Sequence, residues 1–272
     1  MPLSPAPWNG EAPTRVQRAM TIPRARVAVV LGALLALSAH AEDRVATARK
    51  QRMKDVTALF ATAGTAWPTD QLYVRAFKHE RELEVWAGPK DGPLVKVRTY
   101  PFCAASGELG PKRREGDLQV PEGFYTLDLF NPRSNYHLSV RVSYPNAADK
   151  HHQGPGVRLG GNIFVHGDCV SIGCIAIQDG PIEELYLMAL DTRARTKRDP
   201  PIHIFPRRLD AAGMKALEKE AGEDKTRLAF WKSLQPAYTL FEENPRVPRT
   251  SVDAKTGAYQ VQPATKAGRA GR

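Results

Sequence analysis

The sequence predicts an α+β protein, with a mostly antiparallel, β-sandwich-like core and peripheral helices at both ends. Between residues 71 and 144, short runs of β-branched and aromatic residues are separated by turns rich in Gly, Pro and Asn. Before this region, and again after residue 178, apolar residues recur with the period of a helix. Strands and helices that are segregated along the chain are typical of an α+β layout.

The chain divides into five predicted segments. Residues 1–41 are a leader and signal peptide, and residues 42–66 form an N-terminal helix. Residues 67–208 are the main domain, which contains the candidate reactive side chains. Residues 209–244 form C-terminal helices packed on that domain, and residues 245–272 form a basic tail. The chain is long enough for one substantial core or two small ones.

The individual elements follow from periodicity and from capping signals. Gly64 supplies a stop signal for the first helix, and Asp179 is the predicted N-cap of a helix that reaches about residue 190. Two more helices are predicted at 210–220 and 225–242. Strands are predicted at 72–74, 83–86, 94–97, 123–127, 136–144 and 202–205, with long loops at 106–121 and 145–161.

The N-terminus has the features of a secretory signal. Arg24 and Arg26 precede an apolar run at 27–37, which is followed by an A-x-A site that ends at Ala41. The run is too short to span a bilayer by itself, so we expect cleavage after Ala41 and a periplasmic protein. An uncleaved anchor is the alternative. Translation is expected to begin at Met20 instead of Met1, because a signal peptide rarely carries so Pro-rich a leader.

The chain is basic, with 39 Lys and Arg residues against 29 Asp and Glu, a net charge of +10. Residues 245–272 hold six basic residues and one acidic residue, a net +5, with few apolar residues, which predicts disorder. Such a tail could contact anionic envelope polymers or membrane. A solvated tail without a partner is an equally good interpretation. Nucleic acid is a poor candidate partner, because the chain has no nucleic-acid motif.

The central stretch, residues 163–178, carries the chemistry. His166 and Cys174 lie on a loop between two β-branched runs, where an imidazole can deprotonate a thiol. Gly173 allows a tight turn that presents the sulfur, and the N–H groups of Gly173 and Cys174 could stabilise an oxyanion. We expect Ser171 to hydrogen-bond within this turn. A cysteine and a histidine buried in the core are the structural alternative.

Other residues near this stretch are weaker candidates. Asp168 could orient the imidazole or cap the loop as an Asx turn. Arg158 could bind a substrate carboxylate, and Gly167 and Asp168 are further candidates for substrate contact. Cys169 is a weaker candidate for the nucleophile. A metal site is not expected, since the adjacent His151 and His152 make poor joint ligands and no HExxH or CxxC spacing occurs.

The chain has three cysteines, an odd number for an exported protein. If Cys174 is the nucleophile, Cys103 and Cys169 could form a disulfide in an oxidising compartment. The alternative is that both are buried, inert thiols.

The stretch IFVHGDCVSIGCIAIQ resembles the signature of the L,D-transpeptidase catalytic (YkuD-type) domain, a His-Gly followed by Ser/Thr-x-Gly-Cys. The interval between His166 and Cys174 is shorter than is usual there, and Ala176 stands where Arg or Asn is usual. Both departures fit the YafK-like murein L,D-transpeptidase branch. The resemblance covers roughly residues 45–244. Four further blocks resemble the same branch: residues 77–86, 99–125, 130–140 and 203–209.

The resemblance implies an exported cysteine acyltransferase that acts on diaminopimelate-containing stem peptides of peptidoglycan, in cell wall biogenesis, remodelling and cell shape. It implies that Cys174 forms a thioester, that His166 transfers protons and that a backbone carbonyl orients the imidazole. It implies no cofactor.

Three alternatives stay open. One is a hydrolytic amidase of the same family that detaches a covalently linked outer-membrane lipoprotein from peptidoglycan. The second is a cysteine peptidase that acts on ordinary L,L-peptides and is insensitive to carbapenems. The third is a non-catalytic wall-binding module, which would be favoured if a Cys174→Ala variant were retained on sacculi and the wild type had no activity.

Overall fold

The fold is described from a computed structural model of residues 44–264. The first element, helix α1, covers residues 44–62 and buries Ala48, Val56 and Phe60. The predicted signal peptide, residues 20–41, lies outside the described residues. No helix among residues 44–264 is long and apolar enough to cross a membrane.

Eight strands form one continuous sheet in the order β3-β2-β1-β8-β4-β5-β6-β7. All neighbouring strands are antiparallel except the pairs β1–β8 and β6–β7. The predicted mostly antiparallel α+β fold is thus confirmed. The strands are β1 (Gln71–Phe77), β2 (Glu82–Gly88), β3 (Val95–Pro101), β4 (Gly123–Ser134), β5 (His137–Val142), β6 (Phe164–His166), β7 (Ile175–Ala176) and β8 (Pro201–Phe205).

Strand β4 joins the two halves of the sheet. Its first residues, 123–126, pair with β8, whereas residues from Leu127 to Ser134 pair with β5. The register between β4 and β5 shifts twice along this stretch. Such irregularities bend a strand and increase its twist, so the sheet curls and its far edge, β6 and β7, forms a concave region.

Four further helices surround the sheet: α2 (Ala147–His151), α3 (Asp179–Thr196), α4 (Ala211–Ala221) and α5 (Lys225–Glu243). Asp210 and Asp224 cap α4 and α5 by accepting a backbone N–H with their side chains. Helix α2 lies in the segment predicted as a loop, and the capping box of Asn146 and Asp149 was the signal for it. Helix α3 extends beyond its predicted end near residue 190.

The two faces of β1 contact two different cores. Leu72 and Val74 pack in the core that contains α1 and α3, whereas Phe77 packs with Trp231 of α5 in a second core. This arrangement follows from the alternation of side chains across a strand. The central strands are therefore covered on both sides, which makes the sheet a rigid support for its edge.

Arg75 lies among the aromatic side chains on the α5 side of β1. It is 1% exposed, and its guanidinium pairs with Glu84 of β2 at 2.7 Å and with Glu242 of α5 at 2.6 Å. Burial alone would raise the pKa of Glu84, but Arg75 and the Trp86 N–H outweigh it and hold that pKa below its usual value. The buried pair with Glu84 joins β1 to β2, and the pair with the half-exposed Glu242 connects α5 to the sheet.

The prediction that residues 245–272 are disordered is wrong for most of that segment. Residues Arg249–Val252 (β9) and Tyr259–Gln262 (β10) form an antiparallel hairpin. Tyr259 is buried against Phe124, at 4.5 Å between ring centroids, and its hydroxyl accepts a hydrogen bond from Asn146 Nδ2 at 2.7 Å. The buried ring of Tyr259 thus holds this segment on the domain despite its polar composition. The last eight residues, 265–272, lie outside the described residues.

Candidate active site

The pairing of β6 with β7 brings His166 and Cys174 to one face of the sheet. The two strands are parallel, with Val165 opposite Ile175, so Cys174 aligns with Phe164. Because side chains alternate along a strand, Phe164, His166 and Cys174 project from the same face. His166 and Cys174 both line a cavity of about 430 Å³. The two residues singled out from the sequence are thus placed together.

The cavity is walled by segments that are distant in sequence. One wall is the charged loop that includes Lys112, Glu115 and Leu118, and another is the turn between β4 and β5, which includes Tyr136. The chain before β6 and the catalytic turn, with Ile172, complete the lining. Leu118, Tyr136 and Ile172 are 49%, 40% and 77% exposed, respectively, so the rim is partly apolar.

His166 is oriented by the backbone of the next residue. Its Nδ1 lies 2.6 Å from the carbonyl oxygen of Gly167, and the ring packs at 4.8 Å from that of Tyr136. Because a carbonyl only accepts, Nδ1 carries the proton and Nε2 is left as the acceptor. Burial lowers the pKa of His166, and the Gly167 carbonyl and Asp168 oppose that shift. The imidazole is therefore neutral near pH 7 and suited to act as a base.

Cys174 is half-buried, with its Sγ 3.8 Å from the carbonyl oxygen of Asn162. Burial raises the pKa of the thiol, and the backbone of Phe164 and the charge of Lys112 oppose that shift. The protonated thiol is therefore the resting form, and a base is needed to generate the thiolate.

The Ser171 hydroxyl makes hydrogen bonds to both the N–H and the carbonyl of Cys174. Its Oγ accepts the Cys174 N–H at 3.0 Å and donates to the Cys174 carbonyl at 2.7 Å. The expectation that the Cys174 N–H stabilises an oxyanion is therefore wrong for this arrangement, since that donor is already used. The Gly173 N–H remains the candidate. Gly173 has a φ of +114°, a conformation that favours glycine, as the sequence predicted.

The loop between His166 and Cys174 is anchored to the start of α3. Asp179 Oδ1 accepts the Asp168 N–H at 2.7 Å, and Asp168 Oδ1 accepts the Cys169 N–H at 2.6 Å. Asp179 is thus not the helix N-cap that was predicted. Gln178 occupies that position without a side-chain cap, because the Asp179 carboxylate is directed to the loop. Asp168 caps the loop, and the Gly167 carbonyl contacts the imidazole.

The other two cysteines lie at the base of the same loop. Cys103, Cys169 and Cys174 are all free, and Cys103 donates to the Asp168 carbonyl at 3.1 Å. Burial raises the pKa of Cys103 to about 11, and the adjacent thiol of Cys169 adds to that shift. The disulfide stays a prediction. Counting alkylated thiols with and without reductant would test it.

The remaining candidates lie away from the thiol. Arg158 is 85% exposed at its side chain, pairs with Glu115 at 3.1 Å, and does not line the cavity. His151 and His152 end α2, close to Gly257 in the turn of the C-terminal hairpin. Within residues 44–264, no group of three or more His, Cys, Asp or Glu side chains is arranged to hold a metal ion. Lys112 and Tyr136 were missed, since no local pattern marks them.

The chain is similar in sequence to one known family. The family model of the L,D-transpeptidase catalytic domain (YkuD) matches residues 72–204. YafK of Escherichia coli (strain K12), whose name assigns it provisionally to the L,D-transpeptidases, is 34% identical over 193 residues, or 70% of this chain and 73% of YafK.

Two solved structures were also found to be similar. The helical cell shape determining protein Pgp2 from Campylobacter jejuni is 19% identical with a TM-score of 0.41, and the match covers 68% of this chain and 73% of that one. L,D-transpeptidase 1 of Mycobacterium tuberculosis is 18% identical with a TM-score of 0.27, over 49% of this chain and 61% of that one.

The fold and the cavity define an α+β protein that presents a cysteine and a histidine from adjacent strands. Within that class, the chain belongs to the L,D-transpeptidase catalytic domain family. Membership of this family supports a role in the modification of peptidoglycan.

Proposed function

We propose that this protein is an exported, periplasmic cysteine acyltransferase that acts on diaminopimelate-containing stem peptides of peptidoglycan. The observation that carries the proposal is the placement of His166 and Cys174 on one face of β6 and β7, lining one cavity. The hydrogen bond from His166 Nδ1 to the Gly167 carbonyl supports it, because it leaves Nε2 available to the thiol.

In the first half-reaction, His166 Nε2 takes the proton of the Cys174 thiol as the sulfur attacks the carbonyl carbon of the diaminopimelate residue. The carbonyl oxygen becomes an oxyanion, which the Gly173 N–H can stabilise. As the tetrahedral intermediate collapses, its C–N bond breaks and His166 gives the proton to the departing amine. The product is a thioester between Cys174 and the donor peptide.

The second half-reaction consumes the thioester. An acceptor amine, deprotonated by His166, attacks the carbonyl and expels the thiol, which completes transpeptidation. Water in the same position gives hydrolysis, and if the departing amine belonged to an attached lipoprotein, that protein is released. The acceptor decides the outcome, since the catalytic residues are common to both routes.

The test uses the chain from Glu42 with two substrates, a disaccharide tetrapeptide and a muropeptide carrying a peptide amide-linked to diaminopimelate. Mass spectrometry of the protein and of the products reads out the thioester and its fate. A cross-linked or D-amino-acid-exchanged product indicates a transpeptidase, and release of the attached peptide alone indicates an amidase.

Cys174→Ala and Cys169→Ala form a matched pair of variants, since both remove a thiol from the same loop. We expect Cys174→Ala to abolish the reaction and Cys169→Ala to retain it. Unchanged substrates in every reaction, without a thioester on Cys174, would contradict the proposed function.

A further inference from the structure

Lys112 is a buried cation in the wall of the candidate active site. The residue is 5% exposed, and it lines the same cavity as Cys174 and His166. Of the described residues that line this cavity, it is the one Lys or Arg. A buried ammonium is costly unless it has partners, so its position needs an explanation.

The hydrogen bonds to the loop do not use all of the N–H donors of the Lys112 ammonium. The ammonium donates to the Arg114 carbonyl at 2.9 Å and to the Asp117 carboxylate. A lysine has three N–H donors, so one donor remains beyond these two hydrogen bonds, and the Tyr144 ring lies 5.9 Å from Nζ. Lys112 is therefore a partly used donor that carries a full positive charge.

Asp117 does not depend on Lys112 for its hydrogen bonds. Its carboxylate also accepts the backbone N–H groups of Arg113, Arg114 and Gln119, at 2.9, 3.0 and 3.1 Å. Three such donors stabilise a carboxylate without a cation. The Asp117 carboxylate thus retains three backbone hydrogen bonds when the ammonium is removed, so Lys112 is not required to satisfy it.

The charge of Lys112 acts at the reacting sulfur. It lowers the pKa of Cys174, against the effect of burial. Glu115 is the one acidic residue among the described residues that line the cavity, and it is paired with the exposed Arg158. A negatively charged group of a bound ligand near Cys174 would therefore meet Lys112 with little competition from Glu115.

We propose that Lys112 binds a carboxylate of the peptide substrate and so positions the scissile carbonyl at Cys174. The inference deepens the proposed function and rests on it for the class of substrate. Two carboxylates lie next to the scissile bond and could occupy the site: the side-chain carboxylate of the diaminopimelate residue or the carboxylate at the C-terminus of the stem peptide. A single ammonium suits either one, because it acts as a point charge.

The first experiment measures equilibrium binding to the Cys174→Ala protein, so that it does not depend on turnover. Three stem tetrapeptides are compared by calorimetry: the unamidated peptide, called the diacid because both carboxylates next to the scissile bond are free, the peptide amidated at the diaminopimelate side chain, and the peptide amidated at its C-terminus. Loss of one charge-assisted hydrogen bond should weaken binding of one of the amidated peptides by about 10- to 100-fold. The peptide that is weakened identifies the carboxylate.

The second experiment adds Lys112→Met in the same background, with Lys150→Met as the matched control. Lys150 is an exposed lysine on α2 and does not line the cavity. Lys112→Met should weaken binding of the diacid by the same factor. It should not weaken binding of the amidated peptide that the first experiment identifies, because that peptide has already lost the carboxylate. Lys150→Met should change the binding of neither peptide. In the protein that retains Cys174, Lys112→Met should raise the KM for the diacid by the same factor.

Equal binding of all three peptides to the Cys174→Ala protein would overturn the proposal, and this result does not depend on whether Lys112→Met folds. An equal loss for the diacid and both amides on Lys112→Met would also overturn it, since that result indicates a structural role. Failure of the proposed function is a separate result, because it is the absence of a Cys174 thioester with any substrate.

Discussion

The Nδ1 atom of His166 lies 2.6 Å from the carbonyl oxygen of Gly167, the residue that follows it in the chain. The imidazole is thus oriented by the backbone, and within residues 44–264 no carboxylate is hydrogen-bonded to it. A carbonyl is neutral and stabilises an imidazolium less than an aspartate would. The histidine should therefore be neutral in the resting protein, which has measurable consequences.

The first prediction concerns pH. Burial lowers the pKa of His166 and raises that of Cys174, so the resting pair is a neutral imidazole and a thiol. In a Cys103→Ser/Cys169→Ser protein, alkylation of Cys174 by iodoacetamide should be slow at pH 7. It should rise with pH through a midpoint above about 8.5, while the acidic limb of kcat/KM should lie below about 6.5. Alkylation that is already maximal at pH 6 would indicate a thiolate–imidazolium pair instead.

The second prediction concerns Gly167. A Cβ at this position would lie 2.5 Å from Asp179 Oδ1 and 3.0 Å from the Tyr136 carbonyl, so Gly167→Ala must displace the Asp179 carboxylate that anchors the loop or the backbone that orients His166. We expect kcat/KM to fall by about 100-fold and the free energy of unfolding to fall by about 1–3 kcal/mol.

Gly161→Ala is the control for Gly167→Ala, because a Cβ there meets no atom within 4 Å. Its stability in urea unfolding should be close to that of the wild type. Equal kinetics for Gly167→Ala and the wild type would mean that the His166–Gly167 contact has no functional role.

The third prediction concerns the buried ion pair. Arg75→Met leaves the carboxylate of Glu84, itself 1% exposed, without its buried partner. We expect the free energy of unfolding to fall by about 3–5 kcal/mol. Lys96→Met removes an exposed cation that lies 3.7 Å from the same carboxylate, and it should change stability by less than about 0.5 kcal/mol. Similar denaturation midpoints for the two variants would contradict the assigned role of Arg75.

The fourth prediction concerns the C-terminal hairpin. Tyr259→Ala removes the aromatic ring that packs on Phe124 and the hydroxyl that Asn146 contacts. The hairpin should detach more often, and trypsin should cleave after Arg249 and Lys255 at least about tenfold faster, which corresponds to about 1.4 kcal/mol.

Thr250→Ala, an exposed change in the same hairpin, serves as the control for Tyr259→Ala and should be cleaved at the wild-type rate. Rapid cleavage of the wild type itself would support the disorder that the composition predicted.

Local patterns predicted the elements that depend on nearby residues. The helices α1, α3, α4 and α5 and most strands follow from periodicity, because one buried face is enough to produce each pattern. The positions of His166 and Cys174 were also predictable, since the two residues flank one short loop between two strands. The short α2 was predictable in principle from its capping box, whereas composition alone misassigned the hairpin that Tyr259 anchors.

By itself, the sequence determined that this is an α+β protein with a thiol and an imidazole on a loop between buried strands. Only the tertiary structure decided which distant groups surround them: Lys112, Tyr136 and the carboxylate of Asp179. It also showed that the Gly167 carbonyl contacts the imidazole and that the Ser171 hydroxyl accepts a hydrogen bond from the Cys174 N–H. The physical reason is that the walls of the cavity come from separate segments, which meet because bulges in β4 curl the sheet. Contacts of that kind depend on the register and bend of strands, which no local pattern specifies.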